Sequence, residues 1–197
     1  MDQLIKHFKS SEDEFLLEGL LIRTEKNKAT VIFCHGRGET KERFFLKYRD
    51  LILCLYELGC NLFLFDFRGH GRSQSSIYSF GYFEKRDVLG AIEYLHNENV
   101  NIENLGILGF SMGAMAAMLA VEEYRNIKAL ICESGYSSYE NVANVIDPFG
   151  NNIPKNTIRH KEAIKEIKRS RGWDFNISAI ENIEKISPCA LFLIDGE

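Results

Sequence analysis

The chain opens with two short runs in which apolar and polar side chains alternate, residues 4–8 and 15–23. An alternation with a period of two is typical of strands that bury one face and expose the other. The polar stretch KSSEDE between the two runs has the composition of a turn. These features predict an antiparallel hairpin at the N-terminus.

From residue 29 onward, continuous apolar runs alternate with longer segments of helical spacing. Runs that are apolar at every position are typical of parallel strands buried on both faces. The alternation of strand and helix predicts an α/β fold, a mostly parallel sheet with helices on both faces. The predicted strands are residues 29–34, 61–67, 104–110, 127–134 and 188–197, and the predicted helices are residues 43–59, 83–98 and 112–124, the first ending at Gly59.

Length and composition are those of one ordinary globular domain, which we take to span residues 1–197. The chain is 45% hydrophobic and 26% charged, and its formal net charge of −4 gives no reason to expect nucleic acid as a partner. The first 15 residues lack the apolar core of a signal peptide, and no apolar run approaches the roughly 18 residues of a membrane span. We therefore expect a cytoplasmic protein with no membrane span and no nucleic-acid partner.

The five cysteines are odd in number, widely spaced and mostly set in apolar runs, which predicts reduced thiols. No CxxC pair suggests zinc. The stretch GHGRS at residues 69–73 does not complete a dinucleotide-binding motif, because Gln74 stands where the third glycine would be. We expect neither a metal nor an organic cofactor. The cysteines are Cys34, Cys54, Cys60, Cys132 and Cys189.

The regular pattern loosens between about residues 138 and 186, where a lid or cap could be inserted. Residues 155–171 carry seven Lys or Arg and two Glu, with a narrow apolar stripe at helical spacing. A solvated cap helix is the ordinary interpretation. The alternative is a positive lid that attracts an anionic acyl substrate.

The stretch GFSMG, residues 109–113, stands between an apolar strand and a helix rich in small residues. A GxSxG sequence in that position is typical of a nucleophile elbow, a sharp turn that presents the serine at the carboxyl end of the sheet. Gly109 and Gly113 are the positions at which the tight turn leaves no room for side chains. We therefore predict that Ser111 is a nucleophile at the start of a helix, where free N–H groups favour negative charge.

A second signal is the loop CHGRG at residues 34–38, which follows the first buried strand. Acyl transfer needs two backbone N–H donors aimed at the tetrahedral oxyanion. We expect one from Met112 and one from Arg37, with Gly36 in the same loop. His35 is a possible base, but its position between strand and loop favours a brace that holds the loop through hydrogen bonds.

Together these segments resemble the α/β-hydrolase fold family, in its small cytosolic serine-hydrolase branch of the serine aminopeptidase or carboxylesterase type. The matching stretches, in order, are VIFCHGRGE, LFLFDFRGHGRS, GYFEKRDVLGAIEYL, LGILGFSMGA, ALICESGYSS and PCALFLIDGE. The resemblance implies a Ser-acid-His enzyme that cleaves an ester, thioester or amide of a small-molecule acyl substrate. It also implies structural roles for Asp66, Arg68, Glu84 and Asp87.

The resemblance places the triad acid and histidine after the strand that ends near residue 195, and therefore beyond Glu197. The in-chain alternatives are Glu133 or Asp195 as the acid and His160 as the base, each with a structural interpretation that we favour. We expect a chain without the last strand and helix of the fold, and with little activity as it stands. Residues 189–195 would then form an exposed apolar edge able to pair with another strand.

A function of another class also fits the pattern: a non-catalytic α/β-hydrolase-like module that binds a small molecule or a partner. The presence of both GFSMG and the CHGRG loop favours the enzyme, because a pure binding module needs neither a nucleophile nor an oxyanion hole.

Overall fold

The computed structural model describes residues 2–76, 79–136, 138 and 183–195. Seven strands form one sheet in the order β1-β2-β4-β3-β5-β6-β7. The pairings β1–β2 and β2–β4 are antiparallel, and all others are parallel, so the predicted hairpin and the mostly parallel sheet are confirmed. The strands are β1 (Asp2–Lys9), β2 (Leu16–Arg23), β3 (Ala29–Cys34), β4 (Cys60–Phe65), β5 (Leu105–Phe110), β6 (Ile127–Glu133) and β7 (Ala190–Ile194).

Helices connect the parallel strands, and one of them departs from the prediction. The segment predicted as a single helix over 43–59 is two helices that meet at Tyr48, whose backbone has φ −109° and ψ 25°. At this break the centroid of the Tyr48 ring lies 4.5 Å from the centroid of the Phe110 ring at the end of β5. Gly59, at φ 99°, ends the second helix as predicted. The helices are α1 (Lys41–Lys47), α2 (Arg49–Leu58), α3 (Glu84–Asn97) and α4 (Met112–Glu123), with a 3₁₀ turn at Ile183–Ile186.

The sheet separates two apolar cores, as expected when helices cover both faces of a parallel sheet. One core packs α3 and α4 against the sheet, and the other packs α1 and α2. Ala114, Ala116, Ala117 and Ala120 in α4 are at most 1% exposed. Their small side chains let the helix that follows Ser111 lie close to the strands, which fixes where that serine stands.

The last described strand, β7, lies at the edge of the sheet and exposes apolar side chains. Phe192, Leu193 and Ile194 are 61%, 56% and 41% exposed, and β7 pairs with β6 on its inner side. An apolar edge of this kind is a site where a further strand can add. That pairing stays a prediction.

The proposed lid at about 138–186 lies almost entirely outside the described residues. Within the described residues, no helix is both long and apolar enough to cross a lipid bilayer.

Candidate active site

Ser111 occupies a sharp turn between β5 and α4, and its side chain is exposed. Its backbone has φ 50° and ψ −114°, a conformation that side-chain-bearing residues rarely adopt. The turn is held by a hydrogen bond of 2.9 Å from the Ser111 N–H to the carbonyl oxygen of Glu133 on the neighbouring strand. Backbone strain of this kind persists only where surrounding contacts fix it.

The two glycines of the GFSMG motif are required by close backbone contacts. A Cβ on Gly109 would lie 2.7 Å from the carbonyl oxygen of Gly113. A Cβ on Gly113 would lie 2.2 Å from the carbonyl oxygen of Cys34 at the end of β3. Both glycines therefore make room for backbone atoms. Gly109 makes room for the start of α4, and Gly113 makes room for the start of the loop after β3.

The loop after β3 lies directly beside the serine. A Cβ on Gly36 would be 3.5 Å from the Cβ of Ser111. Gly36, Arg37, Ser111 and Met112 all line one cavity of about 530 Å³. Within the described part of the chain, neither the Arg37 N–H nor the Met112 N–H has a hydrogen-bond acceptor. Two residues that line the cavity beside Ser111 therefore carry backbone N–H groups with no acceptor among the described residues.

His35 is buried behind this loop and is neutral. Its Nε2 accepts a hydrogen bond of 3.1 Å from the Phe67 N–H, and its Nδ1 lies 2.7 Å from the carbonyl oxygen of Gly36. An acceptor Nε2 requires the proton on Nδ1, which then donates to Gly36. Burial lowers the pKa of His35 to about 4. The ring thus ties the loop that carries Gly36 to the segment after β4.

His70 makes an equivalent link two residues further along the loop, at Gly38. Its Nε2 accepts a hydrogen bond of 3.1 Å from the Gly38 N–H, and its Nδ1 lies 3.0 Å from the carbonyl oxygen of Arg68. Burial lowers the pKa of His70 as well. The Nε2 atoms of both histidines are engaged by backbone donors, so they are not available to accept the serine proton.

Beneath the same loop, Lys41 is buried among three carboxylates. Its Nζ lies 2.6 Å from Asp66, 2.8 Å from Glu18 and 3.0 Å from Glu42. Burial opposes its charge, but hydrogen bonds to Asp66 and Glu18 raise the pKa of Lys41. The three carboxylates lie near enough to one another to hold a metal ion. The Lys41 ammonium, however, stands where the cation would bind.

A second ionic cluster holds the segment that follows β4. Arg68 donates through Nη2 to Asp87 at 2.6 Å and through Nη1 to Asp13 at 2.6 Å. The backbone N–H of Arg68 also donates to Asp87 at 2.9 Å. Burial alone would raise the pKa of Asp13, but hydrogen bonds from Arg68 and Ser10 lower it to about 2. The cluster gives Asp87 and Arg68 the structural contacts that the family resemblance implied.

The alternative acids lie in different places. Glu133, at the end of β6, lines the cavity of Ser111. Asp195, after β7, lines a separate cavity of about 200 Å³. Four of the five histidines lie in the described residues, and none of those four lines the cavity of Ser111, while His160 lies outside them.

Five aromatic residues also line the Ser111 cavity. Phe44, Tyr48 and Phe110 pack together with ring centroids 4.5–4.7 Å apart. Phe80 and Tyr136 line the same cavity. Aromatic residues in apolar runs are ordinarily core residues, so only the tertiary arrangement distinguishes these five.

Comparison with protein-family models places residues 25–169 in the family described as serine aminopeptidase, S33. The chain is 28% identical over 186 residues to the protein YfhR of Salmonella typhi, covering 88% of this chain and 55% of that protein. It is 34% identical over 103 residues to the protein YqkD of Bacillus subtilis, covering 52% of this chain and 32% of that protein. The chain thus spans about half the length of the YfhR protein that it matches.

Solved structures show the same fold. The esterase Pf2001 of Pyrococcus furiosus, in space group P212121, superimposes with a TM-score of 0.70 and 22% identity, over 98% of this chain and 69% of that one. In space group P21 the same esterase matches with a TM-score of 0.60 and 27% identity, over 68% of this chain and 52% of that one. The epoxide hydrolase VrEH1 of Vigna radiata matches with a TM-score of 0.53 and 18% identity, over 67% of this chain and 40% of that one.

Proposed function

Because the chain belongs to the serine aminopeptidase S33 family of α/β-hydrolases, we propose that it is a serine hydrolase that cleaves an ester, thioester or amide through an acyl-enzyme on Ser111. The observation that carries this proposal is one piece of geometry. An exposed serine on a strained elbow borders the same cavity as two backbone N–H groups that have no acceptor among the described residues.

In the proposed reaction the Ser111 Oγ attacks the substrate carbonyl carbon while a general base removes the hydroxyl proton. The carbonyl oxygen becomes an oxyanion, which the N–H groups of Arg37 and Met112 stabilise. The tetrahedral intermediate expels the alcohol, thiol or amine, which takes up the proton and leaves the acyl group on Ser111. Water then attacks the acyl-enzyme, releasing the carboxylic acid and restoring the serine hydroxyl.

The general base comes from outside the described residues. His35 and His70 are excluded because their Nε2 atoms already accept backbone hydrogen bonds. The Nε2 of His7, on β1, lies 3.2 Å from a carboxylate oxygen of Glu18, and His96 lies in the last turn of α3. His160, or a residue of the protein beyond this sequence, is therefore the proposed partner of Ser111. Glu39 and Glu133 are the described carboxylates that line the cavity, and Glu133 stands at the end of β6.

The proposal is tested by covalent labelling with a fluorophosphonate and by hydrolysis of p-nitrophenyl esters, comparing wild type with Ser111→Ala. In a protein that contains the general base, we expect Ser111→Ala to lose labelling and to reduce turnover on the order of 10³- to 10⁶-fold, as removal of a catalytic nucleophile does elsewhere. Ser134 lines the same cavity and gives a matched control, Ser134→Ala, which should retain both activities.

The same measurement separates the proposal from its alternative. Equal labelling of the two variants would contradict the role of Ser111. A protein that binds an ester without being labelled or turning it over would indicate the non-catalytic binding module.

A further inference from the structure

Phe80 is held in an unusual backbone conformation at the edge of the Ser111 cavity. Its φ is 53°, in the left-handed region that bulky side chains rarely enter. Conformations of this kind are maintained only where neighbouring contacts impose them, and they concentrate at functional sites. The residue borders the cavity, so the contacts that impose its conformation also set the position of its ring.

The first of these contacts is a buried carboxylate, Glu84. It accepts hydrogen bonds of 2.8 Å from the N–H groups of Ser79 and of Gly81, the residues on either side of Phe80. It also accepts a hydrogen bond from the Ser79 hydroxyl. A fully buried carboxylate is stable only with such partners. Glu84 therefore clamps the backbone on both sides of Phe80.

Three other contacts complete the support. The Tyr136 hydroxyl donates a hydrogen bond to the carbonyl oxygen of Phe80. A Cβ on Gly81 would lie 2.8 Å from the backbone nitrogen of Ala116, so the segment rests on α4, the helix that begins after Ser111. The guanidinium carbon of Arg37 lies 5.8 Å from the centroid of the Phe80 ring, within the range of a cation–π contact. The segment that carries Phe80 therefore packs on α4, and the Phe80 ring contacts Arg37 in the loop after β3.

A second group of rings reaches the cavity from the other face of the sheet. Phe44 and Phe110 belong to the core that packs α1 and α2, with Tyr48 packed against it. Phe80 belongs to the opposite core, with Tyr136 packed against it. Both groups line the one cavity that contains Ser111. Aromatic walls from two directions give a site in which a flat apolar group gains contact with ring faces and edges.

From these contacts we propose that Phe80 is the specificity-determining residue of the site, and that it selects substrates with an aromatic group beside the scissile carbonyl. The inference deepens the proposed function and rests on it for the reaction. The recognition itself is a binding property, and it can be measured without turnover.

The test measures equilibrium binding of two neutral amides of similar size, 3-phenylpropanamide and hexanamide, by titration followed by NMR. The variants are Phe80→Leu, which keeps an apolar side chain without a ring, and Phe80→Gly, which accepts the positive φ without strain and so protects the fold. Phe192→Ala removes an exposed phenylalanine that does not line the cavity and serves as the matched control. Hydrolysis of the corresponding p-nitrophenyl esters is measured in parallel.

We expect wild type and Phe192→Ala to prefer the aromatic amide. Both Phe80 variants should weaken its binding roughly three- to tenfold, the size of a lost aromatic contact, and change hexanamide binding less than twofold. Failure of the wild-type protein to bind the aromatic amide preferentially would overturn the inference. Unchanged selectivity in the Phe80 variants would overturn it as well. Selective binding without hydrolysis at Ser111 would overturn the proposed reaction and leave the role of Phe80 standing.

Discussion

The segments that follow β4 and β5 lie at the carboxyl ends of parallel strands. They differ in whether their polar groups are buried and hydrogen-bonded. After β4, Asp66, Arg68 and His70 are buried and each is held by several hydrogen bonds. After β5, Ser111 is exposed on a strained backbone, and the Met112 N–H beside it has no acceptor within the described residues. One segment has its hydrogen bonds satisfied, and the other leaves its polar groups facing a cavity.

The contrast shows how the two segments depend on each other. The strained turn at Ser111 and the loop at Arg37 can present free groups only if the backbone around them is rigid. The segment after β4 supplies that rigidity, since His35 and His70 connect it to the loop after β3. The buried charged residues Asp66 and Arg68 therefore support the backbone around the site, while Ser111 faces the cavity.

The largest expected effect is on the supporting side. Arg68→Met leaves the buried carboxylate of Asp87 without its partner, which should reduce the free energy of unfolding by about 3–5 kcal/mol. Urea unfolding followed by circular dichroism measures the change. Arg49→Met is the control, because Arg49 is exposed and its ion pair among the described residues is with its neighbour Asp50 at 3.7 Å, so its effect should stay within about 0.5 kcal/mol. Equal effects of the two variants would remove the distinction between the segments.

The second expected effect is a dependence of the free energy of unfolding on pH. The pKa of His35 falls from 6.5 to about 4 on folding because of burial, so the unfolded chain takes up the proton first as the pH drops. The stability linked to His35 is therefore fully present above about pH 6.5 and is lost between there and about pH 4, on the order of 3 kcal/mol. The lowered pKa of His70 acts in the same direction.

Unfolding free energies measured from pH 7 to pH 4 test this dependence. His35→Gln, which retains a side-chain acceptor for the Phe67 N–H, should show a shallower loss of stability than wild type. His96→Gln, at an exposed position in the last turn of α3, should follow the wild-type curve. An unchanged slope in His35→Gln would mean that His35 is not held neutral by the fold.

The third expected effect is on the packing of the turn that holds Ser111. A Cβ at position 113 would lie 2.2 Å from the Cys34 carbonyl oxygen, so Gly113→Ala should destabilise by about 1–3 kcal/mol and reduce fluorophosphonate labelling of Ser111. Gly106→Ala is the matched control on β5, because its Cβ would find no atom closer than 3.6 Å. A larger loss in Gly106→Ala than in Gly113→Ala would contradict the packing argument for the elbow.

The sequence predicted the turn at Ser111 better than it predicted the contacts that support this turn. The GFSMG motif between an apolar strand and a small-residue helix specifies the turn locally, and the apolar runs identified the parallel strands. The supporting contacts join residues far apart in the chain, such as Lys41 with Asp66, which are separated by 25 positions. No local pattern encodes such a partnership.

Long-range contacts of this kind also accompany two features that the sequence did not predict. The break at Tyr48 contains neither glycine nor proline, and the Tyr48 ring packs there on Phe110, 62 positions further along the chain. The positive φ of Phe80 is accompanied by a long-range contact, because the Tyr136 hydroxyl donates to the Phe80 carbonyl oxygen from 56 positions along the chain. In each case a tertiary contact overrides the preference of the local sequence.

The smallest expected effect tests whether the backbone conformation of Ser111 is strained. Ser111→Gly replaces a side chain held at φ 50° with a residue that adopts this conformation freely. Relief of strain of about 1–3 kcal/mol should exceed the added entropy of the unfolded glycine chain, for a net gain of about 1 kcal/mol in unfolding free energy. Ser111→Ala keeps the strain and loses the hydroxyl, so it should gain no stability. If both variants gain equally, the stabilisation comes from removing the hydroxyl, and the elbow is not strained by its backbone.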